Sequence, residues 1–137
     1  MAIPNTFTNG TVADADEVNE NFEECWGYPK ILLNTTSAST TFTPNKADTR
    51  IVVWVTGVWE APQTSGSNFT IIDLDIASVT KDTKTIKMYD QNSIDWDVPF
   101  MLMWSDVDLA AASTDIAVTT SGGSISNLKI IVMEYIK

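Results

Sequence analysis

This sequence predicts an all-β protein: an antiparallel β-sandwich or jelly roll of about eight strands, preceded by an extended segment and one short N-terminal helix. Three observations predict it. Short runs rich in β-branched and aromatic residues recur between turn signals from Tyr28 onward. Several runs alternate apolar and polar residues, the period of a strand with one buried face. The chain before them has another texture, polar and turn-rich and then briefly helical. The length of 137 residues suits one ordinary domain and is too short for two plus linkers. The division expected is a segment at 1–27 and a sandwich domain at 28–137.

In the leader, Gly10 can supply the positive φ of a tight turn, and Thr11 and Asp14 are candidate N-caps. Ala15, Val18, Phe22 and Cys25/Trp26 then recur at intervals of three and four, giving one apolar stripe. A helix of about three turns is marginal alone in water, so this one should dock on something. Phe7, Val18, Phe22 and Trp26 are the docking candidates.

The strands follow in order. Lys30 to Asn34 is short and apolar, and Ser39 to Thr43 is rich in threonine. Arg50 to Trp59 is the strongest strand of the sequence. In Phe69 to Ser78, Ile72, Leu74 and Ile76 alternate with Asp73 and Asp75. Lys84 to Asp90 alternates too, and Val98 to Trp104, Thr114 to Thr120 and Asn127 to Ile136 complete the set. Turns are expected at Pro44–Asp48, Pro62–Asn68, Lys81-Asp82 and Ser121–Ser124.

Three of these strands are apolar on both faces. Ile51, Val53 and Val55 oppose Val52, Trp54 and Val58; Phe100, Leu102 and Trp104 oppose Met101 and Met103; Ile130, Val132 and Ile136 oppose Ile131, Met133 and Tyr135. A sandwich strand normally hides one face and wets the other. With no helix left to cover the second face, another subunit is the economical cover. A central place in a thick core, or a covering loop, is the alternative. Val52, Trp54, Met101 and Met103 are the candidate subunit contacts, and a trimer is the oligomer expected.

Two stretches resemble known families. Pro4-x-Thr6-Phe7-x-x-Gly10-Thr11-x-Ala13-x-Ala15-x-x-Val18-Asn19-x-Asn21-Phe22 is similar to an opening common in phage tail-fibre, head-fibre and related virion proteins. There the segment is an attachment or trimerisation leader ahead of a variable β domain. The last thirty or so residues, from Leu109 through Gly122-Gly123 to Val132-Met133-Glu134, resemble the closing hairpin of compact trimeric jelly rolls of the tumour-necrosis-factor or C1q type. Where such domains often carry Gly and His before that hairpin, this chain has Ala112 to Asp115. The resemblance implies a homotrimeric virion protein, of capsid or tail, held by its N-terminal segment to other virion proteins.

Composition narrows the partners. The net charge of −10, from 8 basic and 18 acidic residues, offers no basic stripe for phosphates, so neither nucleic acid nor an anionic membrane is expected. One cysteine, Cys25, excludes an internal disulfide framework and a cysteine-built zinc site. No signal sequence and no apolar run long enough to span a bilayer is seen, so release by assembly or lysis is the expected route outside a cell. Asn-x-Ser/Thr sequons begin at Asn9, Asn34 and Asn68, which abundant Ser and Thr would produce by chance.

With no histidine, Ser-His-Asp and Cys-His catalysis cannot arise within one chain, and no Gly-rich loop with a following Lys cradles a phosphate. No catalytic residue is assigned, and an enzyme is not expected. Carboxylates are abundant: Asp14/Asp16, Asp73/Asp75, Asp95/Asp97 and Asp106/Asp108 form Asp-x-Asp pairs. On a strand such a pair shares one face, so neighbouring pairs could clamp calcium or work as acid and base on a sugar. The plain reading is a charged strand edge that discourages pairing, and no metal ligand is assigned. Among five tryptophans, Trp59 precedes a turn and Trp96 lies between Asp95 and Asp97. Aromatic rings beside carboxylates are how many sugar sites are built, so Trp59, Trp96, Asp95 and Asp97 are candidate ligand-binding residues. A lectin-like module recognising a host-surface glycan is the competing function. The ordinary alternative is that each ring caps an end of the sandwich.

Overall fold

The computed structural model describes residues 29–47, 49–62, 66–90, 96–106 and 109–135. The expected N-terminal helix and the docking candidates Phe7, Val18, Phe22 and Trp26 lie outside the described residues, as does Asp95. The described chain is all-β, a sandwich of two antiparallel four-stranded sheets. The strands are β1 (Lys30–Thr35), β2 (Ser39–Phe42), β3 (Arg50–Glu60), β4 (Gly66–Ile76), β5 (Val79–Asp90), β6 (Asp97–Asp106), β7 (Thr114–Thr120) and β8 (Ser124–Tyr135).

Sheet I has the order β1-β8-β3-β6 and sheet II the order β2-β7-β4-β5. Thus β1 pairs with β8, β2 with β7, β3 with β6, and β4 with β5. Among consecutive strands, only β4 and β5 share a sheet, and every other link crosses between sheets. The core is where the inner faces meet. Ile51, Val53, Val55, Phe100, Leu102, Ile130 and Val132 from sheet I pack with Ile72, Leu74, Ile76, Ile86, Ile116 and Val118 from sheet II. Strand alternation puts these residues on one face in each strand, which is why the period read in the sequence locates the core.

Two expected turns are corrected. Lys81-Asp82 is not a turn but part of β5; the chain reverses at Ala77-Ser78, between the paired residues Ile76 and Val79. Both turn residues have positive φ, 51° and 61°. A two-residue hairpin favours that conformation because its twist matches the strands, but Asn and Gly normally supply it. Lys81 is instead an extra residue in the ladder, since Asp75 faces Thr80 while Leu74 faces Asp82. Ser121–Ser124 does hold a turn, but it closes no hairpin: it carries the chain from β7 in sheet II to β8 in sheet I. Strands β4, β5 and β8 also begin earlier than expected, because Ser67, Thr80, Thr83 and Ser126 have ladder partners that their polarity does not reveal.

One charge is buried inside this frame. Glu134 continues the inward parity of Leu128, Ile130 and Val132 and is fully buried. Its carboxylate accepts hydrogen bonds from the Asn45 backbone (2.9 Å) and side chain (2.6 Å), from Thr49 Oγ1 (2.8 Å) and from the Lys46 backbone (3.3 Å). The carboxylate therefore ties the loop between β2 and β3 to the last strand. Burial, the largest single influence, raises its pKa, but the hydrogen bonds together outweigh it and hold the carboxyl below its usual range.

Candidate functional site

The three strands with two apolar faces are neighbours, in the order β8-β3-β6. Their outward residues therefore add up to one surface. On it Trp54 lies directly between Ile131 of β8 and Met103 of β6. One row along, Val52 faces Met133, which in turn faces Ile31 of β1. One row the other way, Thr56 faces Met101. Trp54, Met101, Met103 and Ile31 are 43%, 52%, 47% and 59% exposed, four of the eight large hydrophobic side chains left exposed among the described residues. Val52, Ile131 and Met133 are half-buried. All four predicted contact residues, Val52, Trp54, Met101 and Met103, thus share one surface.

The rim of this surface is polar. Arg50, opposite Tyr135, stands at one end of β3, and Glu60, opposite Asp97 and Ser124, at the other. Hydrogen bonds from the Ser126 and Ser124 hydroxyls hold the Glu60 carboxyl below its usual range; the Ser124 bond measures 2.9 Å. An apolar middle with a polar rim is the ordinary anatomy of a protein contact. Its size fits as well. Strands of 6, 12, 11 and 10 residues set about 4.8 Å apart present roughly 600 Å², apolar middle and polar rim together, on the scale of the roughly 800 Å² each partner buries in a standard interface.

The free edge of β6 is partly covered by β5. Asp82 Oδ2 accepts the outward Met103 N–H at 2.8 Å, and Lys81 Nζ lies 5.5 Å from the centroid of the half-buried Trp104 ring. Both groups come from β5, where the extra residue turns them toward sheet I. The middle of the edge is thus covered at Met103 and Trp104 while the broad face is left bare.

The candidate ligand residues separate. Trp59 lies next to the end of β3, as expected, but is fully buried and offers no ring face to a ligand, which corrects its place among the candidate ligand-binding residues. It has the inward parity of Ile51, Val53 and Val55, and its indole N–H donates to Gly122 O at 2.7 Å. The same oxygen accepts from Thr120 Oγ1 at 2.9 Å, and Thr120 meets Thr70 Oγ1 at 2.8 Å. Trp96 is 47% exposed beside the exposed Asp97, and its carbonyl accepts from Ala61 N at 3.1 Å. Asp73 and Asp75 share the outer face of sheet II and accept from Thr83 (2.8 Å) and Thr80 (2.6 Å). Among the described residues no three His, Cys, Asp or Glu side chains come together as a metal site.

What the sequence reading missed is on the outer face of sheet II, where Phe69 and Tyr89 are exposed. Alternation marks both as outward, since Ile72, Leu74 and Ile86 define the inner parity; the signal was present and the tryptophans drew attention from it. The chain matches no protein-family model and no curated protein.

Proposed function

We propose that this chain is a virion structural protein: a homotrimeric fibre or decoration protein that assembles through the outer face of sheet I. Residues 1–27 would hold it to other proteins of the capsid or tail, and its work would be assembly rather than catalysis. The observation that carries the reading is the bare apolar surface centred on Trp54, flanked by Met103 and Ile131 and rimmed by charge. A surface of that kind on a chain of net charge −10 is costly to leave in water and fits burial against another copy. In a closed ring of three the contact is heterologous, so each copy would bury this face against a different surface of the next.

The pairing of β1 with β8, β2 with β7, β3 with β6 and β4 with β5 is that of one long hairpin rolled into two sheets. It supports the jelly-roll reading, in which the closing strands β7 and β8 lie in different sheets instead of forming a hairpin. The virion assignment itself draws on the resemblance of residues 4–22 to fibre leaders. Deleting residues 1–24 tests it: the expected product is a folded domain that no longer enters particles. A truncated chain that incorporates as well as the full chain would contradict the anchoring role.

A further inference from the structure

We infer that the outer face of sheet II binds a carboxylated oligosaccharide through Phe69, Lys87 and Tyr89. The site is on the opposite side of the sandwich from the assembly face, so the inference does not depend on the trimer. Phe69 faces Lys87 across the β4–β5 ladder, and Tyr89 comes next on the same side, facing Ser67. Phe69 is 48% and Tyr89 70% exposed. With Asn68 and Met88 these four residues line an open depression of about 550 Å³, room for a few sugar rings. β7 stops at Thr120, opposite Ile72, so no strand flanks β4 on that side at Phe69.

The chemistry of the depression names its ligand class. Aromatic rings open to solvent on a rigid sheet offer flat apolar faces for the C–H side of a sugar, and the Tyr89 and Ser67 hydroxyls offer hydrogen bonds. Lys87 adds a cation, its Nζ 5.7 Å from the Phe69 ring centroid. Lys87 is a cation at the Phe69 end of a face whose other end carries Asp73 and Asp75. Of the 8 basic residues in this acidic chain, Lys81, Lys84 and Lys87 are all on β5. Lys81 Nζ lies over the Trp104 ring and Lys84, paired with the inward Ile72, has the opposite parity, so Lys87 is the one of the three that lines the depression. A neutral sugar would leave the Lys87 ammonium to the Phe69 ring and water, whereas a uronate carboxylate would add an ion pair to it.

The test is titration of the full chain with a hexamer of galacturonic acid and, separately, with its methyl ester, read by heteronuclear NMR. The acidic hexamer is expected to shift amides around Phe69, Lys87 and Tyr89. Tyr89→Ala and Lys87→Gln should each weaken binding about tenfold, and the ester should bind more weakly by a similar factor. Trp96→Ala should leave binding unchanged. Absence of binding, equal binding of the ester, or loss of binding on Trp96→Ala would each overturn the inference. Light scattering on the same samples separates the two readings: a monomer that binds the acid contradicts the assembly reading and leaves this site standing.

Discussion

Glu134 shows how much one side chain can hold. Its four hydrogen-bonding contacts reach back 85 to 89 residues to the loop before β3. Glu134→Ala would strand those donors and is expected to cost about 3 kcal/mol in urea unfolding, the scale of breaking a buried charged network. The pH dependence has a definite sign. The folded pKa is lowered, so the stabilisation is present above the unfolded value of about 4.3 and lost as pH falls through the folded pKa. Glu134→Gln should therefore flatten the acid limb of the stability curve, and an unchanged limb would show that the carboxylate is not a source of it. The burial of Glu134 was legible in its parity with Ile130 and Val132; its partners were not, because no local pattern links residues so far apart. Trp59 carries the same lesson. It adjoins the loop at Ala61-Pro62, and its parity with Ile51, Val53 and Val55 marks it as core. Gly123 closes the packing around it with φ of 73°, where an added Cβ would run into Glu60 O and the Trp59 indole nitrogen. Gly123→Ala is expected to cost about 2 kcal/mol, again read by urea unfolding.

At the scale of elements, the β4–β5 hairpin departs most from the rules of its own sequence. Ala77 and Ser78 occupy left-handed conformations that cost an ordinary residue about 1 kcal/mol or more. Replacing both by Asn-Gly should stabilise the domain by about 1 kcal/mol, a rise of roughly 4 °C in melting temperature by calorimetry. A lowered melting temperature would contradict the assigned turn. This hairpin also explains where strand boundaries were unreadable. Lys81-Asp82, expected as a turn, lies within the ladder, which absorbs Lys81 as a bulge and leaves Asp82 to accept the Met103 N–H of β6. Where apolar and β-branched residues run without a break, in β3 and β6, or fill a short strand between clear turns, in β7, the expected and observed strands nearly coincide. Where polar residues alternate, in β4 and β5, the inward parity was legible but the strand starts were not, because polar ladder residues do not differ from loop residues in composition.

For the whole molecule, the apolar second faces of β8, β3 and β6 were visible one strand at a time. That they are adjacent, and so form a single surface, depends on a strand order set by contacts between distant parts of the chain. Each copy carries a formal charge of −10, so copies repel while the contact itself is apolar. Raising salt from about 50 to about 500 mM should tighten assembly in sedimentation equilibrium, since screening removes the repulsion and leaves the apolar term. Weaker assembly at high salt would point to a contact held by ion pairs. Trp54→Glu and Met103→Glu place charge at the centre of the surface while changing residues already about half exposed. They should dissociate the oligomer and alter monomer stability by no more than about 0.5 kcal/mol. Light scattering is the most direct measurement: the wild-type chain should give three times 15.1 kDa, and Trp54→Glu should give 15.1 kDa with an unchanged circular dichroism spectrum. A wild-type mass of 15.1 kDa, or an oligomer indifferent to Trp54→Glu, would contradict assembly through the outer face of sheet I.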